Sequence, residues 1–114
     1  MGLSLSEYGV KEFEPWELLP APCQAIIAVE CAKESKAAEV ISQVSHKETM
    51  LRFETEREVI RLLGADCTVP VGAYSEINGE KISLTVSDGK GHFAQGEKEI
   101  EKRFELVKEL TDKL

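Results

Sequence analysis

The sequence predicts an α+β domain: a three-stranded antiparallel sheet with helices packed on one face, preceded by an extended N-terminal segment and a short strand. Three observations carry this. Stripes of apolar residues at helical spacing occur before and after a central stretch. That stretch alternates apolar and polar residues and contains two glycine-rich turns. Each helix then has one apolar side and the sheet has one apolar face, so a two-layer packing buries all of them together.

In chain order, residues 1–22 read as a leader that ends in Leu19-Pro20-Ala21-Pro22, where two close prolines exclude helix. Ile26-Ile27-Ala28-Val29 is a short continuous apolar run, the pattern of a strand buried on both faces. The rest of the chain offers no sheet to receive such a strand. Ser35 to Val44 reads as a helix with Ala37, Ile41 and Val44 on one side. Ser45-His46-Lys47-Glu48 has the capping-box spacing, so a second helix is expected from there to Gly64, a stop signal. Met50, Phe53, Arg57, Ile60 and Leu63 share one side of it. Arg57 is expected to bury its stem in that seam and pair with a carboxylate.

Val69–Ile77, Glu80–Ser87 and His92 to about Glu97 read as strands. Ile82, Leu84 and Val86 alternate with Ser83 and Thr85, and Asn78-Gly79 is the strongest hairpin signal. Asp88-Gly89-Lys90-Gly91 makes the next turn. Ile100, Phe104, Val107, Leu110 and Leu114 mark a last amphipathic helix.

Composition narrows the function. A chain of 114 residues with 42% hydrophobic and 31% charged residues has the balance of a globular domain. Its net charge of −7 repels nucleic acid and anionic membranes, so neither is an expected partner. No apolar run reaches the length of a membrane span, and no charged region followed by an apolar signal core opens the chain. The cytoplasm is the expected compartment.

The three cysteines, Cys23, Cys31 and Cys67, form no Cys-x-x-Cys pair, so neither a disulfide framework nor a metal site is expected. There is no phosphate loop, nucleophile elbow or His-x-x-x-His pair, and no catalytic residue is assigned. The acidic runs, such as Glu54-Thr55-Glu56-Arg57-Glu58 and Glu97-Lys98-Glu99, read as solvated helix faces. Cys67 follows a helix C-terminus and adjoins Asp66, both of which disfavour a thiolate. It reads either as a small buried apolar residue or as an anchor captured once by an electrophile.

"LPAPCQAIIAVEC", "SHKETMLRFETERE" and "GADCTVPVGAYSEINGEKISLTVSDGKG" together resemble the C-terminal part of porphobilinogen deaminase, also called hydroxymethylbilane synthase. The resemblance runs over nearly the whole chain. It implies residues 1–31 as a remnant of the preceding family domain and 32–114 as the C-terminal cofactor-attachment domain. The family condenses four porphobilinogen molecules into hydroxymethylbilane, on the route to tetrapyrroles such as haem. The product grows on a dipyrromethane cofactor, bonded by a thioether to a cysteine of the third domain. Cys67 stands at that position, and Gln24 at a position that lines the cofactor cleft. Loss of ammonia from an aminomethyl pyrrole leaves an electrophile, so the thiol needs reach more than activation.

Two departures accompany the match. The family Gly-Gln-Gly reads Cys23-Gln24-Ala25, and Asp66 replaces a frequent glycine. The domains that supply the catalytic aspartate and the carboxylate-binding arginines have no counterpart, so the chain alone is expected to be inactive. Partners follow: the missing N-terminal deaminase domains, or a second copy paired through the orphan strand. The alternatives are a stand-alone, non-enzymatic binding module that kept the fold and, behind it, a thiol enzyme based on Cys67.

Overall fold

The computed structural model describes residues 5–65 and 69–114. A 3-10 turn at Leu5–Tyr8 opens the leader, followed by helices α1 (Lys36–Val44) and α2 (Lys47–Leu63). Strands β1 (Gly72–Asn78), β2 (Lys81–Ser87) and β3 (Phe93–Glu99) follow, then a 3-10 turn and helix α3 (Arg103–Thr111). The strands form one antiparallel sheet in the order β1-β2-β3.

The register explains the core. Ala73, Ser75 and Ile77 pair with Val86, Leu84 and Ile82, and these pair in turn with Ala94, Gly96 and Lys98. Side chains two residues apart share a face, so one face carries Ile82, Leu84 and Val86, all fully buried. Helices α2 and α3 cover it with Val59, Leu106, Val107 and Leu110. Arg103 of α3 donates to Glu54 Oε2 of α2 at 2.7 Å, and Lys98 of β3 pairs with Glu109 of α3. The predicted α+β layout is the observed one, with α2 and α3 as the packed helices. Leu106 joins the buried face beside the predicted Val107 and Leu110, while Phe104 turns outward.

Several local expectations shift. Residues 26–29 form no strand: among the described residues the one sheet consists of β1, β2 and β3 and no ladder includes them, and Ile27 is 90% exposed. Helix α2 is capped one residue later than the capping box implied, by His46, whose Nδ1 accepts from Thr49 N. Its buried side is Thr55, Glu56 and Val59 rather than the seam through Met50, Phe53 and Arg57. Arg57 is exposed and lies over the Phe53 ring at 5.8 Å, with no carboxylate partner among the described residues. Strand β1 begins at Gly72, beyond Pro70, which has no N–H to give to a ladder. Asn78 pairs with Lys81, so the two loop residues are Gly79 and Glu80. Gly79 supplies the positive φ of 64°.

The β2–β3 turn is organised by Asp88. Its Oδ1 accepts from the backbone N–H groups of Lys90 and His92, and its Oδ2 lies 2.6 Å from His92 Nδ1. The His92 hydrogen bond first, then that from Lys90, lowers the Asp88 carboxyl to about 2. A carboxylate lowered by folding stabilises above its unfolded value, about 3.9, and that contribution disappears as pH falls through about 2. Asp88→Asn is therefore expected to lower the urea midpoint at pH 7, with the gap to wild type closing by pH 2.

Candidate functional site

The leader is fastened to the domain at a few points. Pro20 O accepts from Ala73 N at 3.1 Å on the outer edge of β1. Leu19 lies against Gly72, where a Cβ would come within 2.8 Å of Leu19 Cδ2. Pro15, Trp16 and Leu19 border a groove with Thr85, Phe93 and Gln95 on the sheet face away from the helices.

The deepest attachment is a carboxylate. Glu56 is 3% exposed, on the sheet side of α2. Its Oε1 accepts from Ser75 N at 3.0 Å and Ser75 Oγ at 2.6 Å, and its Oε2 accepts from Cys23 N at 2.7 Å. Arg52 NH2 stands 4.0 Å from Oε1. One side chain thus joins helix, strand and leader, and its lone pairs are met by charge-assisted hydrogen bonds. A buried carboxylate without those donors would be strongly destabilising.

The leader turn at this point has unusual backbone geometry. Cys23 and Ala25 have φ of 63° and 65°, the left-handed region that glycine occupies without strain. They flank Gln24, which is exposed. The Cys23 thiol is pushed up by burial first and by the Glu56 charge second, against Arg57, so it stays protonated and is a poor nucleophile. Cys31 is exposed, and no cluster of potential metal ligands exists among the described residues.

A second feature flanks this turn. Ile26, Ile27, Ala28 and Val29 line an open apolar groove with Ile41 and Val44 of α1 and Met50 and Phe53 of α2. Helix α1 buries none of its residues, and Val44 is 74% exposed. No described helix is long and apolar enough to cross a membrane.

Comparison with known proteins identifies the setting. Residues 50–114 match the family described as porphobilinogen deaminase, C-terminal domain. The chain belongs to that family. It is 37% identical to the porphobilinogen deaminase of Clostridium kluyveri over 88% of this chain and 33% of the relative. For the enzyme of Desulforamulus reducens the identity is 37%, over 92% of this chain and 36% of the relative. A probable porphobilinogen deaminase of Methanocaldococcus jannaschii is 33% identical over the whole chain and 42% of its own length. The chain thus spans about a third of the length of the first two deaminases.

Of the two residues that the resemblance singles out, Gln24 sits on the strained turn held by Glu56. Cys67, with Asp66, lies outside the described residues, in the connection between α2 and β1. Glu56 itself was missed from sequence. It stands in an acidic run that reads as a solvated face, and its stripe, Arg52, Thr55, Glu56 and Val59, is mostly polar. The signal was the helical spacing of that stripe from Val59 and Leu63, which the more apolar neighbouring stripe concealed.

Proposed function

We propose that this chain is the cofactor-attachment domain of a porphobilinogen deaminase, acting in tetrapyrrole synthesis, with Cys67 as the tether for dipyrromethane. The observation that carries the reading is the family match over residues 50–114, which takes in Cys67 on the connection into β1. Attachment would join Cys67 Sγ to the methylene carbon of an aminomethyl pyrrole. The C–S bond forms, the C–N bond breaks, and the thiol proton leaves with the amine as ammonia. When bound, dipyrromethane would supply the primer on which the product chain grows.

The residues present fit the tether and not the ligand's carboxylates. The buried charge beside the Gln24 turn is Glu56, Arg61 and Arg103 are taken up by Glu58 and Glu54, and the net charge is −7. Arg57, exposed and close enough to Cys23 to act on its thiol, can meet one carboxylate. The remaining acetate and propionate groups need cations from another polypeptide or another part of a longer chain. The partner that fits is therefore the portion of the deaminase that precedes this domain. Residues 1–31 are read as the end of that portion, and the apolar groove along 26–29 and α1 as the face it covers. In this setting the isolated chain is inactive.

The test is intact mass and a peptide map of the chain co-expressed with the preceding domains of a relative. A dipyrromethane-sized adduct on Cys67, absent from Cys67→Ser, is the expected result. An unmodified Cys67 would overturn the tether and favour a binding module without the cofactor.

A further inference from the structure

We infer that Glu56 is a positioning residue that latches the Cys23–Ala25 turn onto the domain and holds two non-glycine residues in left-handed backbone. Three observations converge on it. Among the described residues, the Cys23 amide donates to Glu56 Oε2, at 2.7 Å. The other oxygen is committed to Ser75 through both its N–H and its hydroxyl, which fixes the carboxylate plane. Two of the three positive φ values of non-glycine residues follow that anchored amide, at Cys23 itself and two residues on at Ala25; the third, Glu34, lies outside this turn.

Left-handed backbone disfavours a residue with a Cβ relative to glycine. Such geometry persists where surrounding contacts over-determine it. Here the over-determining contacts are the Glu56 bond at Cys23 and the Pro20 carbonyl on Ala73 a few residues earlier. Downstream of the latch, Ile26 N donates to Cys23 O at 3.2 Å, so the chain turns within 23–26 and Gln24 lies exposed on that turn. Glu56 therefore sets where Gln24 stands. The bearing of this on the cofactor rests on the proposed tether, whereas the latch itself does not.

Glu56→Gln separates the latch from ordinary core support. The retained oxygen can still accept from Ser75, but an amide nitrogen facing Cys23 cannot accept its N–H. Hydrogen exchange is expected to quicken at Cys23 by about tenfold or more relative to Ser75, with Leu84 unchanged relative to Ser75. Ala25→Gly is expected to raise the folding constant of the wild-type chain about fivefold, by relieving the left-handed strain. That gain should vanish in the Glu56→Gln background, where the turn is free to relax. Should Glu56→Gln not fold, Glu56→Asp, whose shorter carboxylate withdraws from Cys23, is read in the same way. Equal acceleration at Cys23 and Ser75, or an undiminished Ala25→Gly gain in the altered background, would overturn the latch. Neither readout involves the cofactor, so the latch and the tether can fail separately.

Discussion

Leu84→Ala is expected to destabilise the domain by about 3–5 kcal/mol, the upper part of the range for a buried leucine. Leu84 is fully buried at the centre of the middle strand. Its neighbours across the sheet are Ser75 and Gly96, both too small to move into the space left behind. Leu106 and Leu110 above Gly96 are already close: a Cβ on that glycine would stand 3.0 and 3.4 Å from their methyl carbons. They are held by the rest of α3, so the cavity persists. Domains of this size are stable by about 5–15 kcal/mol, so the loss is a large share of the total. Thermal unfolding followed by circular dichroism should show a midpoint lowered by about 15 °C or more. A drop of only a few degrees would mean that α3 collapses onto the sheet.

Gly89→Ala is the second large effect, expected to cost about 2 kcal/mol or more. Gly89 has φ of 71°, and a Cβ there would meet Pro70 O at 2.2 Å. A backbone carbonyl cannot yield as a flexible side chain can. Either the Asp88 turn or the approach to β1 must move. Gly79→Ala is the control: it shares a positive φ of 64°, but nothing lies within 4 Å of an added Cβ. It should carry the backbone strain alone, about 1 kcal/mol. Equal urea midpoints for the two variants would show that the Pro70 contact is unimportant.

How far the sequence was legible varies by element. The β2 strand was read correctly because Ile82, Leu84 and Val86 alternate with polar residues, and a period of two has a single structural meaning there. The end of α2 was equally clear, since Gly64 takes the left-handed cap conformation that stops a helix. The side of α2 that is buried was misread. Its most apolar stripe, through Met50 and Phe53, faces the open grooves, and the sheet instead receives Thr55, Glu56 and Val59. Thr55 bonds back to Leu51 O, and Glu56 is satisfied by donors 19 and 33 residues away. No local pattern announces such a pairing.

The sequence by itself determined the α+β class, the order of helices and strands, and the family, because these rest on periodicity, turn chemistry and motifs that are local in the chain. Tertiary structure alone decided the rest. It left residues 26–29 without a strand, since a ladder needs a paired edge and the described sheet pairs only β1, β2 and β3. It turned an apparently solvated glutamate into the junction of helix, strand and leader. It also showed that Cys23 and Ala25 keep a backbone suited to glycine. The physical reason is common to all three. A buried polar group or a strained turn is stable only through partners distant in sequence, and the fold, not the local pattern, brings those partners into reach.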